Sequence, residues 1–375
     1  MTITAKIQIR TSECQKQVLN ETMSAYRGAC NFVSDYIFNT HVLKFASLNK
    51  ELYHAVRTRF GLKSQMTQSV IKTVVARYKA ILEMQHEWIK VEFKHPQYDL
   101  VWNRDYSLKQ DGFSVNTIYG RIQLPYITKG TEKYFNRELY KFGTAKLVCK
   151  NGKYYLHISV VFTVPKTEIS DTAHIVGIDR GINFVIATYD SNGKSEFVSG
   201  RQIKQTRAKY SALRKQLQKR QTASARRRLK KLGGRENRWM NDLNHCISKA
   251  LVTKNPQKTL FVLEDLSNVK KATERVRRKD RYVSVSWSFY DLEQKLAYKA
   301  KMNQSNVIKV DPRFTSQCCP ICGYVDKRNR NKKSHLFTCG QCNYKSNDDR
   351  IGAMNLYRIG ADHVIGNQLP STVAI

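Results

Sequence analysis

Residues 2–10 alternate in polarity, placing Ile3, Ala5, Ile7 and Ile9 on one face, as a half-buried strand does. The period then changes. Ser12 with Gln15 three residues later forms a capping box, and Leu19, Met23, Tyr26 and Val33 follow at helical spacing. A second amphipathic helix is predicted from Ser64. Met66, Val70, Val74, Tyr78 and Ile81 make its apolar face, with Gln65, Gln68, Lys72 and Lys79 opposite. Residues 13–95 therefore read as a helical unit. From Pro96 the period is two again, with turn signals at Asp111 and Gly112 and at Asn151 and Gly152 between strand-like runs such as AKLVCK and KYYLHISVVF. Short strands closed by tight turns predict a small barrel, with residues 2–10 as a partner strand, of the kind that binds oligonucleotides.

Further on, HIVGIDRG, NFVIATYD and KSEFVSG read as three consecutive antiparallel strands, the last two joined through Asn192 and Gly193. Residues 201–240 predict two helices divided at Gly233 and Gly234. KTLFVLEDL reads as a buried strand, VSWSFYDLEQKLAYKAKM as an amphipathic helix and NVIKVDP as another strand. Between them, DLSNVKKATERVRRKDR is poor in apolar residues and rich in cations, as a lid or strand-guiding loop would be. A last helix, 351–359, is expected to be capped by Asn347 or Asp348, and residues 361–375 to form a loosely ordered tail.

Charge names a class of partner. The chain has 65 Lys and Arg against 30 Asp and Glu, a formal net charge of +35. Solubility needs only about 2 to 8 for a small domain, so the excess points to a polyanion. Residues 201–240 alone hold 15 Lys and Arg and one acid, Glu236. Arg226, Arg227 and Arg228 are candidates for contacts to a phosphate backbone. Gln65, Gln68 and Lys72 are candidates for reading duplex DNA, because Gln pairs with an adenine edge in the major groove. No apolar run reaches membrane-spanning length, and MTITAKIQIR lacks the apolar core of a signal peptide, so a membrane role is not expected. The expected place is the cytoplasm, in association with the nucleoid.

Four of the nine cysteines, Cys14, Cys30, Cys149 and Cys246, are scattered singly and read as small buried thiols. The other five crowd together. Cys319 and Cys322, a 16-residue loop, then Cys339 and Cys342 match the spacing of a zinc ribbon. Each two-residue gap lets a knuckle turn both thiolates onto one ion, and four thiolates close the coordination sphere, so the zinc would be structural. Cys318 falls outside that spacing and is left unliganded.

Three acids remain: Asp179 in VGIDRG, Glu264 in FVLEDLS and Asp349 in NDDRIGAMN. Each stands at the end of an apolar run or the start of a helix, where strands of an RNase H-type sheet can bring distant carboxylates together. Asp265 neighbours Glu264 but faces the opposite side of the strand. Asp348 is the alternative to Asp349.

The set GIDRG, LEDL, TSQCCPICG, FTCGQC and DDRIGAMNL, in this order and spacing, resembles the TnpB family, transposon-encoded RNA-guided DNA endonucleases related to compact type V CRISPR effectors. The resemblance is strong over 171–360 and weaker before it. DRIGAMNL departs from the family's D-x-N-A-A-x-N-[IL] at Ile351 and Gly352, while Asp349, Ala353 and Asn355 match. It implies a multidomain α/β protein. An RNase H-like, RuvC-type nuclease domain (171–317 and 346–360) would carry an inserted zinc ribbon (318–345). An oligonucleotide-binding-type wedge barrel (1–12 and 96–170) would carry an inserted helical recognition domain (13–95). Asp179, Glu264 and Asp349 would be catalytic and would hold two Mg²⁺ ions, with Mn²⁺ as a substitute. The implied partners are a guide RNA from the transposon end and double-stranded target DNA bearing a short adjacent motif. A DNA-binding protein with a weak or inactive site, or a DNA transposase, is the alternative.

Overall fold

The computed structural model describes residues 1–95, 97–266, 289–331 and 334–366. It divides into two compact units, Met1–Thr163 and Val164–Ile375. The cation-rich loop proposed as a lid lies almost wholly outside the described residues, as do residues 367–375 of the tail.

In the first unit β1 (Thr2–Ile9) leads into α1 (Glu13–Thr40), where Ser12 and Gln15 form the expected capping box. Two more helices follow, α2 (Phe45–Phe60) and α3 (Ser64–Glu83). The periodicity alone had not separated α2, whose apolar stripe is only Leu48, Leu52 and Val56. Eight strands complete the set: β2 (Gln97–Leu100), β3 (Tyr106–Lys109), β4 (Gly112–Thr117), β5 (Gly120–Leu124), β6 (Tyr126–Ile127), β7 (Lys141–Lys150) and β8 (Lys153–Val161) join β1. β1 pairs with β8 over its full length in the five-stranded order β2-β7-β8-β1-β6, and β3-β4-β5 form a second sheet. The β7–β8 turn uses Asn151 and Gly152 at φ 53° and 73°, the left-handed pair that a tight hairpin needs. The ladders described form a five-stranded and a three-stranded sheet, and period-two alternation could not say which strands would pair with which. Asp99 on β2 ties helices to sheet, accepting from Thr73 (2.7 Å) and Tyr26 (3.1 Å).

The second unit opens with β9 (His174–Asp179), β10 (Phe184–Asp190) and β11 (Ser195–Ser199), antiparallel as the pattern predicts. Next come α4 (Arg201–Arg220) and α5 (Ala223–Lys254). Here the expected break is displaced. Gly233 and Gly234 lie inside α5, and the turn falls at Gln221 (φ 52°) and Thr222, whose hydroxyl caps Ala225 N–H at 3.2 Å. Glycine costs about 1 kcal/mol in a helix, less than α5 retains by keeping Leu232, Met240, Ile247 and Leu251 buried. Glu236 is buried between Arg207 and Arg214 of α4, so the single acid of this basic stretch pins one helix to the other.

β12 (Thr259–Glu264), α6 (Phe289–Met302) and β13 (Asn306–Val310) complete a sheet of order β11-β10-β9-β12-β13, with β12 parallel to both its neighbours. Three short strands, β14 (Arg330–Asn331), β15 (Leu336–Thr338) and β16 (Lys345–Asn347), build a small sheet beside the cysteines. The last helix, α7 (Asp348–Ile365), is longer than expected at both ends. Nothing in its sequence breaks it before Gly366, which takes the left-handed cap at φ 80°. Of the four scattered cysteines only Cys30 is fully buried; Cys14 and Cys246 are exposed because they fall on outward faces of their helices.

Candidate active site

β9 and β12 run side by side with Ile178 opposite Leu263, so Asp179 and Glu264 stand at matching carboxyl ends of adjacent parallel strands. α7 crosses them. Its approach depends on Gly177, where an added Cβ would lie 2.1 Å from Ala353 O and 2.5 Å from Tyr357 N. Asn347 caps the helix, its Oδ1 accepting from the N–H of Asp349 (3.0 Å) and Arg350 (3.2 Å), which sets Asp349 in the first turn. One turn on, a Cβ at Gly352 would lie 3.1 Å from the Asp179 carboxylate. The departure from the family pattern at Gly352 thus makes room for an acid.

The charges of Glu264 and Asp349 both reach Asp179. Burial, then the charges of Glu264 and Asp349, hold the Asp179 carboxyl well above its ordinary range. Burial also raises Glu264, opposed by a hydrogen bond from the Thr315 hydroxyl to Oε1 (2.5 Å) and by Arg180 and Arg330. Asp349 is raised by burial and by Asp348, against Arg330, His335 and Lys204. Among the described residues Arg330 is a cation that acts on all three.

Arg330 donates through Nε to Asp348 Oδ2 (2.7 Å) and through Nη1 to Ser316 Oγ (2.9 Å), leaving Nη2 3.8 Å from Asp349 Oδ1. Asp348 is fully buried, and its Oδ1 lies 3.3 Å from His335 Nδ1. Both its oxygens are therefore engaged, whereas the charge of Asp349 reaches Asp179. Asp265, next to Glu264, sits beside Lys309 Nζ at 3.8 Å. Arg180, from GIDRG, is buried, donates to the Glu264 backbone carbonyl and pairs with Glu293 at 3.3 Å, bracing the two strand ends. Thr315, Arg330, His335 and the engagement of Asp348 were not anticipated; only the hydroxyls of TSQCC marked the place.

The four predicted cysteines meet. The sulfurs of Cys319, Cys322, Cys339 and Cys342 lie within 4.8 Å of one another, a set that can hold one tetrahedral ion such as zinc. Burial raises the Cys339 thiol, but the N–H groups of Cys342 and Gln341 outweigh it and bring it down to about 6. Cys318 stays outside the set, its Sγ 3.6 Å from Gly323 O. Asn355 on α7 donates to Thr315 O (2.7 Å) and Cys318 O (2.8 Å), fastening the first knuckle to the helix that carries Asp349.

Gln65 accepts a hydrogen bond from Arg104 (2.9 Å), Lys72 Nζ stands 5.1 Å above the Phe45 ring, and Gln68 is half-buried between them on α3. Arg226, Arg227 and Arg228 are all exposed at the start of α5. No helix among the described residues is long and apolar enough to cross a membrane.

Two family models match: one described as "Probable transposase" over residues 157–276, and "Cas12f1-like, TNB domain" over residues 289–356. The CRISPR-associated endodeoxyribonuclease Cas12f1 of Sulfoacidibacillus thermotolerans is 24% identical over 89% of this chain and 86% of its own length. The TnpB-like protein MJ0751 of Methanocaldococcus jannaschii is 29% identical over 50% of this chain and 70% of its own. The chain is a relative of the TnpB and Cas12f proteins. A solved Cas12f1–sgRNA–target DNA complex shares the fold, with a TM-score of 0.63 at 17% identity over 92% of this chain and 82% of that one. The Cas12f1 relative is named an endodeoxyribonuclease, and this chain has a mixed α/β fold with a four-cysteine cluster.

Proposed function

We propose that the chain is a transposon-encoded, RNA-guided DNA endonuclease that cuts double-stranded DNA with one metal-dependent site made of Asp179, Glu264 and Asp349. One observation carries the site: carboxylates at two strand ends and a helix start come close enough for the charges of Glu264 and Asp349 to raise the proton affinity of Asp179. Its sheet order, with three antiparallel strands and then two parallel ones, is that of an RNase H-type fold. On this reading the finer architecture is the RuvC-type nuclease with inserted ribbon, and the wedge barrel with inserted recognition helices, within the boundaries given above.

The residues present fit divalent cations. Among the described residues the acids are faced by Arg330, with Arg180 beside Glu264 and with Lys204 and His335 acting on Asp349, and all the donors of the cluster are hard oxygens. Asp179, Glu264 and Asp349 would hold Mg²⁺, or Mn²⁺ in its place. When bound, two such ions supply water activation and stabilisation of the leaving oxygen. The protein contributes the frame. Arg180 fixes the Glu264 backbone, Asn347 fixes the entry of Asp349, and Asp348 holds Arg330 so that its free edge adds positive charge where a phosphate would arrive.

Target choice then rests on pairing between guide RNA and DNA, with Gln65, Gln68 and Lys72 reading the adjacent motif and Arg226, Arg227 and Arg228 following a phosphate backbone. The full chain, purified with its RNA, should cut a plasmid bearing the matching target only when Mg²⁺ or Mn²⁺ is present. Asp179→Ala, Glu264→Ala and Asp349→Ala should each abolish cutting while RNA still copurifies. Cutting by Asp349→Ala with loss in Asp348→Ala would move the third ligand by one residue. Strand-transfer products on a mini-transposon would favour a transposase instead.

A further inference from the structure

The segment 315–318 joins the two metal centres. Thr315 Oγ1 donates to Glu264 Oε1 (2.5 Å), and Cys318, whose carbonyl accepts from Asn355 Nδ2, leads directly into Cys319 of the first knuckle. Every residue between the acid and the first knuckle is held. Thr315 O accepts from Asn355 Nδ2 (2.7 Å), Ser316 Oγ from Arg330 Nη1 (2.9 Å), and Gln317 O from Asn329 Nδ2 (3.1 Å). The partners come from α7 and from the ribbon itself. Thr315 is 3% exposed and Cys319 is fully buried, so both ends of the segment are packed in, while Ser316, Gln317 and Cys318 between them are half-buried.

A carboxylate with two oxygens can rotate about its side-chain bonds, and a metal ligand is only as well placed as the group that orients it. The Thr315 hydroxyl lies within reach of Pro312 O (3.0 Å) as well as of Glu264 Oε1, and by donating to the carboxylate it orients Glu264. Because that hydroxyl is carried by the turn that runs into Cys319, closing the four-sulfur site also fixes the hydroxyl.

We propose that Thr315 is a positioning residue for Glu264, and that residues 315–318 transmit zinc occupancy of the ribbon into cation affinity at the acid site. The ribbon is then part of the nuclease centre and not only a stabilising appendage. This rests on the reading that the acids bind divalent metal. Removing a hydrogen-bond partner of a ligand commonly costs about 10- to 100-fold in metal affinity.

The test uses the full zinc-loaded chain with its copurified RNA and Mn²⁺ as probe, read by electron paramagnetic resonance. Mn²⁺ bound by the wild type minus that bound by Glu264→Gln isolates the acid site from RNA-bound ions. Thr315→Val, which keeps shape and loses the hydroxyl, should bind Mn²⁺ at that site at least about 10-fold more weakly while retaining one zinc per chain. Thr315→Ser should restore the affinity. A merely structural threonine would change melting temperature and zinc content instead, and serine would not selectively rescue Mn²⁺ binding. If Thr315→Val does not fold, Thr315→Ala takes its place, since it adds nothing to the packed site. Wild-type Mn²⁺ affinity in the zinc-loaded variant overturns the proposal. Identical binding by wild type and Glu264→Gln would instead overturn the metal reading on which it rests.

Discussion

Gly177→Ala tests how closely the helix bearing Asp349 must lie on the strand bearing Asp179. The new Cβ would stand 2.1 Å from Ala353 O and 2.5 Å from Tyr357 N, both backbone atoms of α7, while ordinary contact begins near 3.4 Å. Relief therefore requires α7 to withdraw by about 1.3 Å, because backbone in mid-helix cannot swing aside as a side-chain tip can. Overpacking of this kind costs about 1–3 kcal/mol, and the absence of a flexible partner puts Gly177 at the top of that range. At roughly 2–4 °C per kcal/mol for a body of this size, the melting temperature should fall by about 6–12 °C. A displacement of about 1 Å between reacting groups can cost about 100-fold in rate, so cutting should fall by that order even below the melting temperature. Gly360→Ala is the control. Its Cβ would meet only side-chain atoms, Val262 Cγ2 at 2.5 Å and Ile175 Cγ2 at 3.0 Å, far from the acids. It should destabilise less and leave the cutting rate of the folded fraction near wild type. Differential scanning calorimetry and a plasmid cleavage time course read both quantities. A Gly177→Ala protein that melts within about a degree of wild type and cuts at its rate would refute the packing argument.

The raised carboxyls carry a sign. Asp179, Glu264 and Asp349 bind protons more readily in the fold than in the unfolded chain, so each destabilises the metal-free fold at neutral pH, and the penalty lifts as pH falls through the folded values. Asp179→Asn should accordingly raise the melting temperature in chelator at pH 7 while losing the stabilisation that Mn²⁺ gives the wild type; a lower melting temperature would contradict this. Replacing Arg226, Arg227 and Arg228 together by Gln should weaken binding to all nucleic-acid sequences alike and reduce the salt slope of log K by about 0.7–0.9 per lost contact, read by titration at several salt concentrations. Elemental analysis should find one zinc per chain, and Cys339→Ser should lose it and melt earlier, since binding and local folding are coupled.

Local rules reached far into this chain. The capping box at Ser12 and Gln15, the Asn151 and Gly152 turn and the two cysteine pairs each depend on a few neighbouring residues, so a short window of sequence contains their physics. The boundary between α4 and α5 does not: a glycine pair looks like a stop until the buried stripe that outweighs it is seen. The acids lie between. Their residue types and motifs were legible through family resemblance, but which of Asp348 and Asp349 faces Asp179 depends on Arg330 and His335, which approach from the ribbon. Thr315 reaches Glu264 across 51 residues of chain, and Asn355 reaches Thr315 across 40. Sequence alone determined where most strands, caps, turns and cysteine knuckles fall, because those preferences are set by backbone conformation and spacing. Only the tertiary structure decided how the acid cluster is charged and held, because desolvation and the orientation of a hydroxyl or guanidinium arise from atoms that the chain brings together only when it folds.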